Sequence, residues 1–473
     1  MKKINIAVVG SGIGGSLISA LNSNESLKLF ERDMNLGGCA STFKRYGAFF
    51  NAGATTFVGY EDNHPIKRIF DDIGFNPDLL KSNIAIRTIQ NKKILDRIQD
   101  FDVFLEELNK VYPNKNNEKF WRTLKDIDEK FWNLKKLYFA KYSMKSYFRT
   151  ASFIYELLKV FKFDLFKSAT GFIEDILGNI SEEYQSFIDA QLFITVQTTS
   201  KVIPLLSMAL GLSYPFHDVF YVYGGMGSLF DGILEDVDVH KKEEVLKIKK
   251  QDDYYHIQTS KDEYLAKNVI LNSTVFDSSK FFEDKKIQDY YNSFSFNDQS
   301  AFVVYLKLDI EPELLHHYQV ILNEKIPNCI SNSFFVSLSD KNDYKLSKKG
   351  LSITISTHTK ANSWKQYSKD EYEKEKEKTM NFIIEEFLNN FDKISKDNIK
   401  YSFCATSTTF NNYINRFNCG GNSITIKNAI NLPSCNTPFE GLYNVGDTVF
   451  AGQGWPGIAL GVEVLNKELN GKL

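Results

Sequence analysis

The feature that most constrains the fold is KINIAVVGSGIGGSLISALNSNESLKLFERD, in which Gly10, Gly12 and Gly15 stand at G-x-G-x-x-G spacing. The apolar run Ile4 to Val9 precedes the glycines, and the stripe Ile13, Leu17, Ile18 and Leu21 follows at helical spacing. The pattern predicts a strand, a tight turn and a helix. Gly10 allows the turn, Gly12 lets backbone approach a pyrophosphate, and Gly15 lets the helix lie against the strand. The helix N-terminus then offers free N–H donors and a partial positive charge of about half a unit to the phosphates. Glu31 ends the second apolar segment, LKLFE, where the ribose of an adenine dinucleotide needs an acceptor.

At 473 residues the chain is long enough for roughly three domains, although domains assembled from separate segments blur that count. A net charge of −2 argues against a polyanion-binding surface, so nucleic acid is not an expected partner. The five cysteines, Cys39, Cys329, Cys404, Cys419 and Cys435, are scattered without a C-x-x-C pair, which points to free thiols in a reducing, cytoplasmic compartment. The adjacent His316 and His317 belong to no cluster with metal-ligand spacing, and no metal is expected. No secretion signal is read at the start of the sequence. VIPLLSMALGLSYPF, the longest mostly apolar stretch, falls short of the ~18 residues of a membrane span and contains two prolines.

Past Glu31, Gly37-Gly38 marks a loop, FKRYGAFFNAG reads as a hairpin, and a helix is expected over 65–73. From about 80 to 215 glycines thin out and lysine- and aromatic-bearing segments predict a helical insertion. Its stretch ASFIYELLKVFKFDLFKSATGFIEDIL sets bulky apolar residues beside lysines. That mixture suits buried helices with solvated lysines, or a face that dips into a lipid headgroup layer. YGGMGSLFDGILED then reads as a glycine turn entering an amphipathic helix, followed by short strands, the last over 268–272. Between about 276 and 405, SAFVVYLKLDI and LSITISTHT read as strands. A long helix there carries the stripe Met380, Ile383, Ile384, Phe387, Leu388 and Phe391, with EKEKEK as its solvated face.

LYNVGDTVFAGQGWPGIALGVEVLNKEL repeats the strand-loop-helix theme: a strand over 442–445, Gly446-Asp447, a glycine-proline loop, and a helix from near Pro456. Set against a flavin, this helix N-terminus would stabilise the negative charge of the reduced ring.

Four segments carry a resemblance to a known family: VVGSGIGG with FERDMNLGGCAST, FFNAGATTF, YGGMGSLFDGI, and GLYNVGDTVFAGQGWPGIALG, with TSTTFNNYINRFNCGGN as a looser fifth. In these the chain resembles the FAD-dependent amine-oxidase-like superfamily, and within it the carotenoid desaturase, carotenoid isomerase and retinol saturase branch. The resemblance implies an α/β fold, with a discontinuous Rossmann-type FAD-binding domain over 1–80, 215–275 and 405–473. A helical insertion over 81–214, facing substrate or membrane, and a mixed α+β substrate domain over 276–404 complete it.

The resemblance also implies roles. Gly10, Gly12, Ile13, Gly14 and Gly15 would meet the FAD pyrophosphate, Glu31 and Arg32 the adenosine ribose region, and Val245 the adenine through its backbone. Gly37 and Gly38 would bring the flavin side into line, while Gly446, Asp447, Gly457 and Ile458 would lie at the ribityl chain and ring. Flavin-facing candidates are Gly454, Trp455 and Tyr223, with Phe49 and Phe57 as further pocket aromatics. The sequence departs from the family's pattern at Cys39, where many members carry Arg, and at Asn51, where many have Asp; Cys39 reads as a small packing residue.

The reading that follows is a flavoenzyme acting on a polyene or isoprenoid-like apolar substrate by hydride transfer at flavin N5, with desaturation, saturation and isomerisation left open. No catalytic dyad or triad is seen, as such chemistry requires little acid-base apparatus. Two alternatives stay open: an amine or amino-acid oxidase with a carboxylate anchor such as Arg416, and a non-catalytic prenyl-lipid carrier of the same fold. Peripheral contact with the inner face of a membrane is a further expectation.

Overall fold

The computed structural model describes residues 2–164, 167–295, 297–428 and 431–471. The β-branched run Lys2–Val9 forms the central strand of a seven-stranded sheet. On one side it pairs in parallel with Leu27–Glu31, which in turn pairs with Val239–Lys241. On the other side it pairs in parallel with Glu263–Leu271. That strand's last residues pair in parallel with Leu442–Asn444, and its first residues join the antiparallel strands Tyr254–Thr259 and Val245–Gln251. Residues 2–31, 239–271 and 442–444 therefore build one sheet, as the discontinuous Rossmann-type reading requires.

Helices Ile13–Leu21 and Gly454–Leu469 pack on this sheet, with Leu17, Ile18, Ala459 and Val462 buried in its core. Pro65–Asp72 follows as a helix, and Thr42–Arg45 with Ala48–Asn51 form the expected hairpin.

A second seven-stranded sheet runs in the order Ile399–Ala405, Ser300–Leu308, Ser352–Thr359, Ser333–Leu338, His317–Ile321, Ile84–Gln90, Lys93–Ile98. All its pairings are antiparallel except that of His317–Ile321 with Ile84–Gln90. The helix Lys369–Asn390, started by a reciprocal Ser368–Glu371 capping box, lays Ile383 and Phe387 on one face of this sheet.

The helical stretch begins at Phe101 rather than at 81, because residues 84–98 form a hairpin that extends the second sheet. Of the described helices between Phe101 and Ser213, five gather around Phe104, Trp121, Phe187 and Leu212, while Met144–Phe161 packs Phe153 and Phe161 with Phe131 and Leu460. Asp100, Ser143, Ser168 and Ser181 cap four of them with side-chain oxygens. Among the described residues no helix is long and apolar enough to cross a membrane.

Candidate active site

A cavity of about 530 Å³ opens at the carboxyl ends of the parallel strands, the place where open α/β sheets bind ligands. The glycine turn forms one wall. Gly10 has a φ of +96°, a conformation side chains disfavour, and its N–H donates to the Phe30 carbonyl at 2.9 Å. A Cβ on Gly15 would lie 2.1 Å from the Gly10 carbonyl oxygen, so helix and turn can touch only because no side chain is there.

Asn272, just past the end of the neighbouring strand, braces the turn from inside. Its backbone N–H donates to the Val9 carbonyl at 3.0 Å and its amide to the Gly10 carbonyl at 3.3 Å. A Cβ on Gly12 would sit 2.7 Å from the Asn272 amide nitrogen.

Glu31 closes the second strand with both carboxylate oxygens engaged. Oε2 accepts from the Ser11 N–H at 2.9 Å and the Ser11 hydroxyl at 2.6 Å, and Oε1 from the Asp33 N–H at 2.8 Å. The acid is thereby fixed beside the turn, with Arg32, Glu244, Val245, Lys280 and Phe281 along the same wall. Burial lowers the Lys280 pKa from its ordinary value.

Beyond Gly37 and Gly38 the cavity leaves the first sheet and meets the second. Its wall there is Phe43, Ala52, Tyr305, Phe403, Ala405, Phe410 and Ile414. Phe403 and Tyr305 stack at 4.8 Å, and Phe43 meets Tyr305 edge-on at 5.3 Å. The cavity thus has a polar, glycine-lined end and an aromatic end.

Asp447 stands where they join. Its two oxygens accept from Arg416 Nη1 at 3.3 Å and Nη2 at 3.1 Å, and the Arg416 Nε–H donates to the Asn418 carbonyl at 2.6 Å. Both side chains are largely buried. Although burial works against its charge, Asp447 holds the Arg416 pKa above its ordinary value.

The residues expected at a cofactor divide by position. Gly10, Gly12, Ile13, Gly14, Glu31, Arg32, Gly37, Gly38, Val245, Gly446, Asp447 and Ile458 line the cavity. Gly15 and Gly457 lie behind its surface in close backbone contacts.

Of the flavin-facing candidates, Trp455 is packed between Phe57, edge-on at 5.1 Å, and Phe230, stacked at 5.8 Å. Tyr223 sits edge-on to Tyr221 at 5.6 Å, and Gly454 opens the last helix. These three, with Phe49 and Phe57, are not part of the cavity lining. The lining instead includes Asn272, Lys280, Tyr305 and Phe403, which sequence reasoning did not single out. The asparagine ending NVILN was the one local signal among them. Among the described residues no group of three His, Cys, Asp or Glu side chains is arranged to hold a metal ion.

Comparison with known proteins agrees with this fold. Residues 8–73 match the NAD(P)-binding Rossmann-like domain family. A chloroplastic prolycopene isomerase of Daucus carota is 23% identical over 493 residues, covering 96% of this chain and 78% of that protein. A 4,4'-diapophytoene desaturase (4,4'-diaponeurosporene-forming) of Staphylococcus haemolyticus is 25% identical over 258 residues, 49% of this chain and 46% of the other. Among solved structures, a putrescine oxidase variant superposes with a TM-score of 0.64 at 12% identity, covering 99% of each chain. The chain is thus similar over nearly its whole length to a carotenoid isomerase and over about half of it to a carotenoid desaturase, and it shares the fold of the putrescine oxidase structure.

Proposed function

We propose that the protein is an FAD-dependent oxidoreductase that alters the number or geometry of double bonds in a long, apolar, polyene-type substrate. The observation that carries this reading is the single cavity running from the glycine turn of the first sheet to the aromatic wall of the second. The residues present fit the cofactor: a cradle that Cβ atoms would fill at Gly12 and Gly14, a helix N-terminus beside it, and a fixed acid at Glu31. Gly10, Gly12, Ile13 and Gly14 would hold the pyrophosphate, Glu31 the ribose, Val245 the adenine, and Asp447 the chain leading to the ring. Bound there, FAD supplies a two-electron acceptor and donor of hydride.

The protein's own residues bind and orient. Phe43, Tyr305, Phe403, Phe410 and Ile414 give a flat, dry wall on which a conjugated chain can lie, excluding water from the reacting bond. Arg416 is engaged by Asp447 through both terminal nitrogens. It is therefore not a free cation for a substrate carboxylate, which favours the apolar substrate over an amino acid.

Access from a lipid surface fits the same reading. Helix Met144–Phe161 turns Met144, Tyr147, Phe148, Ile154 and Tyr155 outward at 3-4 spacing, and Phe148 and Tyr155 are 71% and 70% exposed. Phe163, just beyond, is 80% exposed. Residues 130–167 hold eight lysines and one arginine against two acids, so the rim of this apolar face suits anionic headgroups. Leu165 and Phe166, in the same stretch, lie outside the described residues.

The test is incubation of the purified protein with an acyclic polyene in vesicles, with the bound flavin reduced in one arm and oxidised in the other. A changed polyene on chromatography in either arm is expected. An unchanged polyene together with hydrogen peroxide release on primary amines would overturn the reading.

A further inference from the structure

Helix Ser407–Ile414 is anchored on one sheet and reaches over the cavity to the other. It follows Ile399–Ala405, the edge strand of the second sheet, and its start is fixed there. Thr406 and Thr409 cap the helix reciprocally, and the Ser407 hydroxyl donates to the Ala361 carbonyl at 2.9 Å. The Tyr372 and Thr406 hydroxyls meet at 2.8 Å, and Phe410 and Ile414 join the apolar cluster of Val303, Tyr305 and Ala405. Thr409, Phe410, Tyr413 and Ile414, one face of the helix, line the cavity. Tyr413 is nevertheless 59% exposed, so the helix stands at the rim between cavity and solvent.

The far end is held by the first sheet. Arg32, directly after strand Leu27–Glu31, donates from Nη2 to the Asn412 carbonyl at 3.0 Å. Lys280, in the turn Val275–Phe281 beyond strand Glu263–Leu271, donates from Nζ to the Asn415 carbonyl at 3.5 Å. Asn415 ends the helix with a φ of +55°, and the last carbonyls of a helix have no partner within it. Two cations at this end also complement the helix dipole. Both hydrogen bonds are open to solvent, so they can part while the two sheets stay intact. Arg32 and Lys280 themselves line the cavity wall beside Glu31 and Val245.

We propose that helix Ser407–Ile414 is a strap across the cavity, latched at its C-terminal end by Arg32 and Lys280, and that unlatching sets how fast a dinucleotide enters and leaves. The strap swings about its anchored start at Thr406 and Ser407. The identity of that dinucleotide rests on the FAD reading above; the latch does not. Arg32 and Lys280 are positioning residues, because they act through the helix. A residue that only contacts the ligand slows its release and leaves its entry alone, whereas a latch slows passage in both directions.

The test compares the purified parent with Arg32→Met/Lys280→Met in two measurements. Hydrogen exchange, read without added ligand, should be about tenfold faster over 407–416 in the variant and unchanged over 399–405. FAD association and release, followed by flavin fluorescence, should both be faster by about tenfold, while Lys280→Arg, which keeps a cation at the latch, should follow the parent. Lys280→Met alone should move both measurements in the same direction by less, and it carries the comparison where the double variant does not fold. Unchanged exchange over 407–416, or release that speeds up while association does not, would overturn the proposal. A parent that binds no FAD would overturn the cofactor reading and the gating built on it, and the exchange measurement then decides the latch by itself.

Discussion

At the scale of single residues, the site depends on places where a side chain is missing. A Cβ at position 12 would meet Asn272 at 2.7 Å, and the two methyls of valine would add further bulk at a residue that lines the cavity. Gly12→Val should therefore fold but purify without flavin, whereas Cys39→Ala should keep it; a flavin spectrum from Gly12→Val would show that the turn has another purpose. The glycines were legible in the sequence because their spacing is dictated by local geometry. The pairing of Arg416 with Asp447 was not, since the two are brought together across a long irregular loop with no periodic signal. Trp455 illustrates the converse. Its place in a glycine-proline loop suggested a flavin-facing residue, but its ring lies in the core between Phe57 and Phe230.

Between elements, a charged cluster fastens helix Asn117–Trp132 to the segments around Glu61 and His217. His217 donates to Glu61 at 2.8 Å and contacts Asp128 through its other ring nitrogen. Trp132 lies tilted against His64 at 4.6 Å, and the His64 ring meets His217 edge-on. Burial disfavours the imidazolium, but hydrogen bonds to Asp128 and Glu61 outweigh it and push His217 up to about 10. Burial opposes the charge on Glu61 too, yet the same histidine takes it down to about 2, while burial raises Asp128.

A histidine raised in this way stabilises the fold below its unfolded value near 6.5 and loses that contribution as pH climbs toward 10. The depressed Glu61 contributes above 4.5 and is lost toward pH 2. Denaturant midpoints should therefore decline between about pH 6.5 and 10, and His217→Gln should flatten that decline. An unchanged slope in the variant would place its origin elsewhere.

The exposed stripe of helix Met144–Phe161 makes its own prediction. Replacing Phe148 and Tyr155 by glutamate should weaken binding to anionic vesicles by at least about tenfold, as burial of one large apolar side chain contributes about 1.5–3 kcal/mol. Vesicle binding equal to that of the parent protein would remove the helix from any membrane contact. Among the elements, the hairpin at 84–98 escaped sequence reasoning for a physical reason. Its turn residues Asn91 and Lys92 both have positive φ, 49° and 63°, a type I′ geometry usually marked by Asn-Gly. With lysine in the second place, nothing local separates the isoleucines of 84–98 from the helical stretch that follows.

On the scale of the whole molecule, two sheets of different construction share one cavity. The first, glycine-turned and parallel apart from Tyr254–Thr259 and Val245–Gln251, was legible from strand-turn-helix grammar at both ends of the sequence. The second is ordered by long-range antiparallel pairings, and its contribution to the cavity, Tyr305 and Phe403 from adjacent strands, emerges only when those pairings are known. In the proposed function the glycine-lined end holds FAD and the aromatic end an apolar chain. The most direct measurement is the absorption spectrum of the purified protein before and after acid precipitation, with chromatography of the released nucleotide. A flavin spectrum that moves into the acid supernatant and elutes as FAD is expected; a protein that carries no flavin and binds none when FAD is added would refute the proposed cofactor.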